Sequence, residues 1–342
     1  MLFFRNDYGN GAHPAVMDAL CKTNLELTVG YGTDEYCRQA ADRIRALCKC
    51  PQAEVHFIPG GTQANTTALG AFLRPWEAVI CADSGHIQVH ETGAIEHNGH
   101  RLFPLPAPEG KICPEQIDAL CRAYQKEETS PEPKVVYISN TTELGTVYSA
   151  AELKALRTVC DRWGLYLYCD GARLGAAMAV SDTDYATYGA TCHAFTVGGT
   201  KNGLLFGEAM VITMPELMPS FRRCMRQQGA MLAKGRLLGV QYCAILENDL
   251  YMDLARQAAQ TAQQLSVGLK KLGVKTLIDS PSNQVFPILP NQVVDALRQE
   301  VSFEYWSSVS DTDSCIRFVT AWHTTKEEVD ALLTLLKQLI EG

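Results

Sequence analysis

A single lysine, Lys201, sits among small residues in the run Phe195–Gly203, Phe-Thr-Val-Gly-Gly-Thr-Lys-Asn-Gly. Glycine permits close backbone approach, so such a loop can press an ammonium against a bound ligand. A lysine withdrawn from water has a lowered pKa, and its amine can attack an aldehyde. Taken alone the same residue also reads as a solvated loop charge, as most lysines beside glycines are. Asp170 ends an apolar run and opens Asp170-Gly171-Ala172-Arg173, which sets a carboxylate in a crevice. Pro59-Gly60-Gly61-Thr62 separates a strand-like run from a helix-like one. Free N–H groups and the positive end of a helix dipole would point into that turn and form an anion cradle. The lysine and hydroxyl residue of a P-loop are absent, so a single phosphate fits better than a triphosphate; an ordinary glycine turn is the plain alternative.

These groups need elements to position them. A helix is expected from Pro14 to about Asn24 and another over Tyr36–Cys50, capped by Thr33 or Asp34. Val55–Ile58 reads as a strand, Gln63–Leu73 as a helix, Ala78–Ala82 as a strand, and the stretch from His86 through Ala94 as a helix. Val135–Ser139, Leu165–Cys169, Ala194–Val197 and Ala209–Ile212 read as strands, with Ala150–Trp163 as a helix capped by Ser149. Repeated β-turn-α units with apolar strands predict a mostly parallel sheet between helices, and ligands bind beyond the carboxyl ends of such strands. Pro215–Leu250 reads as helical, followed by a long helix from Tyr251 to Leu272. A strand at Gln284–Leu289, a helix at Val293–Glu300, a strand at Cys315–Thr320 and a closing helix at Thr325–Gly342 complete the chain. Residues 1–245 are read as an N-terminal segment with a large domain, and 246–342 as a smaller C-terminal α+β domain.

Composition narrows the function classes. The 342 residues are 46% hydrophobic and 20% charged, with a formal net charge of −8. An acidic chain argues against nucleic acid as the main partner. No segment approaches the roughly 18 uninterrupted apolar residues of a membrane span, and the N-terminus lacks the pattern of a signal peptide. Thirteen cysteines are scattered, with no Cys-x-x-Cys pair. They read as buried, reduced thiols in a cytoplasmic protein, with no metal site.

A lysine, a carboxylate, a phosphate cradle and the imidazole of His86, all at successive strand ends, make up what a pyridoxal phosphate site needs. The lysine would form the Schiff base, the acid would keep the pyridine nitrogen protonated, and the helix N-terminus would take the phosphate.

The chain resembles the threonine aldolase group of the β-eliminating lyases, which are pyridoxal-phosphate enzymes of fold type I. The resemblance rests on Arg5-Asn6-Asp7, Tyr31-Gly32-Thr33-Asp34, Pro59-Gly60-Gly61-Thr62, Ala82-Asp83-Ser84-Gly85-His86 and Asp170-Gly171-Ala172-Arg173. It continues through the Lys201 loop, Met225–Gly229 and Ile316–Thr320. It implies the fold-type-I architecture: a large domain with a mostly parallel seven-stranded sheet between helices, and a smaller C-terminal domain. It also implies a lyase that cleaves a β-hydroxy-α-amino acid, of threonine or allo-threonine type and with low specificity, to glycine and an aldehyde. By the same resemblance Lys201 is the Schiff-base lysine, Asp170 pairs with the pyridinium, and Arg173 approaches the phenolic oxygen. Gly60, Gly61 and Thr62 take the phosphate, and His86 stacks on the ring and assists proton transfer. Arg317, with Asn6 nearby, holds the substrate carboxylate. Tyr31 and Arg226 reach the site from a neighbouring subunit, which implies a homodimer or homotetramer with shared active sites.

Two positions depart from the family pattern. Thr142 stands on the substrate side where a histidine is expected, and Asn6 replaces a serine. A threonine is no base near neutral pH, which leaves Glu143, His86 or water for that task. β-Elimination, transamination or racemisation of another amino acid is the alternative, and a non-catalytic binding protein a more remote one. His90 and His323 are read as bystanders.

Overall fold

The computed structural model describes residues 1–341. After a two-residue strand, β1 (Leu2–Phe3), and two helices, α1 (Pro14–Thr23) and α2 (Glu35–Leu47), the chain alternates strand and helix. β2 (Glu54–Ile58) leads to α3 (Gly61–Phe72), β3 (Glu77–Ala82) to the short helices α4 (His86–Val89) and α5 (Ala94–His97), and β4 (Leu102–Leu105) to α6 (Pro114–Tyr124). β5 (Glu132–Ser139) leads to α7 (Ala150–Trp163), β6 (Tyr166–Asp170) to α8 (Leu174–Ala179) and α9 (Tyr185–Thr191), and β7 (Ala194–Gly198) to the return strand β8 (Glu208–Ile212).

These strands form the expected seven-stranded sheet, in the order β2-β8-β7-β6-β5-β3-β4. The pairs from β7 to β4 are parallel, and β8 runs antiparallel to both of its neighbours. Successive residues of a strand face opposite sides, so an apolar strand feeds two cores. In β6, Leu167 and Cys169 join one core with α2, α6, α7 and the later helix α11 (Arg236–Ile245). Tyr168 joins the other, with α3 and α10 (Phe221–Gln227).

A third core gathers around α12 (Leu250–Lys271), α13 (Asn291–Leu297) and α14 (Lys326–Glu341). Its strands are β9 (Gln284–Val285), β10 (Ile288–Pro290), β11 (Val301–Ser302), β12 (Glu304–Ser308) and β13 (Asp313–Val319). β13 pairs antiparallel with β9, β10 and β12, whereas β11 pairs in parallel with β1. The N-terminus is thereby tied to this third core, and Phe4 is buried in it.

Several elements differ from the sequence expectation. The helix expected over 215–250 is broken into a 3-10 turn, α10, α11 and a second 3-10 turn. Ser220, Gly229, Asn248 and Asp249 take positive φ there, which ends α-helical geometry. Positive φ at Thr92 and Gly93 likewise splits the stretch after His86 into α4 and α5. The strand expected at 284–289 divides around Phe286-Pro287 into β9 and β10. β4 was hidden by Pro104, which is tolerated in mid-strand at a sheet edge, and β4 is an edge. The closing helix extends through Glu341, and Gly342 lies outside the described residues.

The site edge depends on interlocked turns. Gly171 N donates to Thr196 Oγ1 at 2.7 Å, and Gly198 N donates to Gly171 O at 3.0 Å. A Cβ on Gly171 would fall on the Thr196 carbonyl oxygen. Gly171→Ala is therefore expected to destabilise the protein by about 3 kcal/mol, measured by urea unfolding. A loss below about 0.5 kcal/mol, the scale of an ordinary surface change, would show that the turns are slack.

Candidate active site

The carboxyl end of the sheet collects the chemical groups because register forces it to. Ser139 pairs with Asp170, and both Ile58 and Gly198 pair with Glu208. The antiparallel direction of β8 puts its first residue, not its last, on this edge.

Beyond Ile58, α3 starts at Gly61 with Gly60 as its N-cap and no capping side chain. A Cβ on Gly60 or Gly61 would meet nothing within 4 Å, and Thr62 is exposed. The result is open space at the positive end of a 12-residue helix, suited to an anion.

Beyond Gly198 the lysine loop closes on itself. Gly199 N and Thr200 N donate to Gly207 O at 2.9 and 3.2 Å, and Leu204 N donates to Gly199 O at 3.1 Å. Tyr251 OH holds Gly198 O at 2.8 Å, and Asn202 Nδ2 donates to Tyr251 O at 2.8 Å. Burial lowers the Lys201 pKa and Arg173 lowers it further, while Asp7, Asp170 and Glu208 oppose the shift without cancelling it. A larger neutral fraction means a more nucleophilic amine.

Asp170 is fixed from three sides. Its Oδ2 accepts from Asn65 Nδ2 at 2.9 Å and Tyr137 OH at 2.7 Å, and Oδ1 accepts from Ala172 N at 2.9 Å. Asn65 is itself held by Glu91 Oε1 at 2.7 Å and Tyr168 OH at 2.8 Å. The same Glu91 oxygen lies 2.8 Å from His86 Nδ1. Burial disfavours a charged imidazole, but the Glu91 bond and the Asp170 charge outweigh it and raise the His86 pKa. Glu91 thus ties the imidazole to the support of Asp170.

Arg173 forms a bidentate pair with Asp7, Nε to Oδ2 at 2.7 Å and Nη2 to Oδ1 at 3.0 Å. Asn283 Nδ2 also donates to Asp7, at 2.9 Å. Burial opposes the Asp7 charge, yet Arg173, Lys201 and these bonds hold its carboxyl below the usual range. Arg173 keeps Nη1 as the nitrogen that Asp7 does not engage.

Arg317, on β13, donates from Nη1 to Gln284 Oε1 at 3.3 Å, and its guanidinium lies 5.3 Å from the Trp306 ring centroid. Its Nε is buried and without a partner. Asn6 is partly buried, with its Oδ1 accepting from Tyr8 N at 3.1 Å. Thr142 is buried; its hydroxyl lies 2.7 Å from Thr146 Oγ1, which donates to Glu109 O at 2.7 Å. That hydroxyl is committed to its own loop. Its neighbour Glu143 accepts from Ser139 Oγ at 2.7 Å and His86 N at 2.8 Å, and burial raises its pKa. Tyr31 and Arg226 pack on each other, guanidinium 4.5 Å from the ring centroid, and Tyr31 is exposed. Among the described residues, no hydrogen bond joins either of their side chains to the Lys201 edge.

Sequence reasoning assigned no role to Asp7, Asn65, Glu91, Gln284 or Glu208. Asp7 lay inside a matched motif, and Asn65 falls one turn into the helix after the glycines. The others carry no local signal.

Glu208 is buried between the two glycine turns, with Oε2 unpartnered. Burial, aided by Asp170 and opposed by Lys201, pushes its carboxyl from 4.5 up to about 8. Between those values the folded state holds a proton that the unfolded chain has released, so stability falls as pH rises through this window. Glu208→Gln removes that loss. The unfolding midpoint of the cofactor-free variant should match the parent near pH 4 and exceed it increasingly up to pH 8. A pH-independent difference would contradict the shift.

The chain matches the family model described as Beta-eliminating lyase over residues 4–290. It is 31% identical over 335 residues to the low specificity L-threonine aldolase of Pseudomonas aeruginosa, covering 96% of this chain and 95% of that one. A second low specificity L-threonine aldolase, from a Pseudomonas species, is 31% identical over 99% of this chain and 98% of its own length. Among solved structures, a threonine aldolase from Leishmania major superposes with a TM-score of 0.98 at 39% identity, covering 99% of this chain and 100% of that one. An aspartate aminotransferase from Thermus thermophilus, at 17% identity and a TM-score of 0.72 over 99% of this chain and 91% of its own, shares the fold. The chain belongs to the beta-eliminating lyase family.

Proposed function

We propose that the protein is a pyridoxal-phosphate-dependent aldehyde-lyase that cleaves a β-hydroxy-α-amino acid of threonine or allo-threonine type, with low specificity, to glycine and an aldehyde. The observation that carries this reading is the meeting of a half-buried, pKa-lowered Lys201, a triply hydrogen-bonded Asp170 and an uncapped helix N-terminus on one sheet edge. The residues fit the cofactor. Gly60, Gly61 and Thr62 leave open space where a phosphate would sit, and Lys201 offers the amine for the aldehyde carbon. Asp170 stands as the acceptor for a protonated ring nitrogen, and Arg173 Nη1 is the donor for the phenolic oxygen.

When bound, pyridoxal phosphate supplies the electron sink for the pair released as the Cα–Cβ bond breaks. The chain's own groups do the rest. Arg317 Nε, buried with no acceptor, takes the substrate carboxylate and fixes the rotation of Cα, so that the bond to be broken is the one aligned. Asn6 belongs to the N-terminal segment, which bonds to β13 at Val319 through Phe4 O and to Glu304 through Arg5. His86, held at Nδ1 by Glu91, keeps Nε2 for ring contact and proton transfer. Glu143, whose raised pKa brings it nearer neutrality, stands beside His86 as the second group able to take the β-hydroxyl proton. In the division at residues 245 and 246, the larger unit carries the cofactor groups and the smaller one Arg317.

One observation favours the second reading. The Thr142 hydroxyl is bound to Thr146 rather than free for a substrate hydroxyl, which suits β-elimination, transamination or racemisation equally well. A panel of amino acids, assayed separately for glycine, aldehyde and keto acid, decides between them. Glycine and aldehyde from threonine are expected; cofactor absorbance without glycine from any β-hydroxy amino acid would turn the assignment to the second reading. Lys201→Ala should abolish the visible absorbance of the bound cofactor and reduce turnover on the order of 10⁴-fold.

The free protein is further proposed to be a cytoplasmic homodimer or homotetramer in which Tyr31 and Arg226 complete a neighbour's site. Leu25, Leu27 and Val29, beside Tyr31, are 91%, 100% and 63% exposed, an apolar arm that water disfavours. All thirteen cysteines are free, which supports a reducing compartment. Mixing the separately inactive Lys201→Ala and Arg226→Ala proteins under subunit exchange should restore about a quarter of the activity, from hybrids with one intact site. No recovery despite verified exchange would place Arg226 outside the shared site.

A further inference from the structure

We infer that Gln284 is a positioning residue that sets the Arg317 guanidinium for carboxylate binding and ties it to the Thr141–Thr142 loop. This rests on the reading of Arg317 as the carboxylate site. Gln284 is fully buried in β9, where it pairs with Val319 of β13, the strand that carries Arg317. Its side chain spans from that strand to the loop after β5. Oε1 accepts from Arg317 Nη1 at 3.3 Å, while Nε2 donates to Thr142 O at 3.2 Å and lies 3.4 Å from Thr141 Oγ1.

Both ends of the amide are used, and only one orientation works. Turned over, the amide would set its N–H groups against a guanidinium, donor to donor, and its oxygen against a carbonyl. The guanidinium is then restrained at two places, by the amide at Nη1 and by the Trp306 face. Nε, buried and unpartnered, belongs with Nη2 to the side that can receive a carboxylate through two parallel bonds. Gln284 fills the end of the guanidinium and leaves that side free.

The neutrality of the residue matters as much as its reach. A carboxylate at 284 would accept from Arg317 more strongly, cancel its charge and compete with the substrate. A glutamine orients without neutralising. The same amide holds the loop that carries Glu143, so one side chain links the carboxylate anchor to the polar wall beside His86.

The test uses the cofactor-loaded enzyme and the variants Gln284→Met, Gln284→Glu and Arg317→Met. Folding is checked by unfolding midpoint and by the cofactor's visible absorbance. Two quantities are read: the KM and kcat for threonine, and the calorimetric Kd of 3-hydroxybutyrate, which keeps the carboxylate and hydroxyl but has no amine to react. Gln284→Met should raise both KM and Kd about tenfold with kcat within about threefold, the scale of one hydrogen bond to a charged group. Gln284→Glu should raise them about a hundredfold, since a fixed anion now occupies the arginine. If Arg317→Met leaves KM and Kd unchanged, the carboxylate reading itself fails. If Arg317→Met weakens both while folded Gln284→Glu binds like the parent, the reading stands and the role of Gln284 is overturned. A Gln284→Met protein that fails to fold leaves the isosteric Gln284→Glu arm to decide.

Discussion

The site depends on the close approach of two turns, Asp170–Gly171 after β6 and Gly198–Gly199 after β7. These strands are parallel neighbours, and their exits would collide if either carried a side chain at the crossing. A Cβ on Gly198 would lie 2.6 Å from the carbonyl oxygens of both Gly171 and Ala172. Two glycines remove the conflict, and the exposed backbone groups then bond across it. Asp170 and the lysine loop are thereby set against each other by main-chain geometry. Side-chain rotamers only finish the arrangement.

Charge balance is the second constraint. Lys201, Arg173 and Arg317 are basic groups drawn into a partly dry edge, and the Arg173 charge helps to lower the pKa of the other two. Asp7 answers Arg173 directly with two bonds, which keeps a guanidinium there at full charge despite burial. Lys201 has no ion-pair partner within 4.0 Å among the described residues, and its ammonium is the one weakened to yield an amine. Glu208, which could have paired with it, is instead driven towards its neutral form by burial and by Asp170. The lysine is made reactive by withholding a partner, not by supplying one.

Much of this edge was legible in the sequence, and the rest was not, for a physical reason. Lys201, Asp170 and the Gly60–Thr62 turn are local motifs at strand ends, where a short window holds the whole signal. Their supports are distant: Asp7 lies 166 positions from Arg173, and Asn65 lies 105 from Asp170. No window of periodicity spans such pairs. The same limit hid the direction of Thr142, whose residue type was visible but whose bond to Thr146 depends on how the loop closes. Among the elements, the sheet came through because apolar strands are read by composition. The broken helices after Met214 depend on backbone sign at Ser220, Asn248 and Asp249, which residue type does not announce.

The two halves of the site are built on different foundations, and that separates their freedom to change. The proposed cofactor groups stand on strand ends, where register couples each to its neighbour and a shift in one displaces the rest. The proposed substrate groups straddle a seam. Arg317 and Gln284 come from the antiparallel strands of the third core, and Thr142 and Glu143 from a loop of the large sheet. Side-chain bonds join the two sides, from the Gln284 amide at 3.2 to 3.4 Å and from Ser280 Oγ to Gly145 O at 3.1 Å. A residue exchanged at this seam, as threonine for histidine at position 142, alters the loop beside the proposed substrate groups while leaving Lys201 and Asp170 where the sheet puts them. Reaction specificity can therefore drift at the seam within one fold, because no strand register has to move with it.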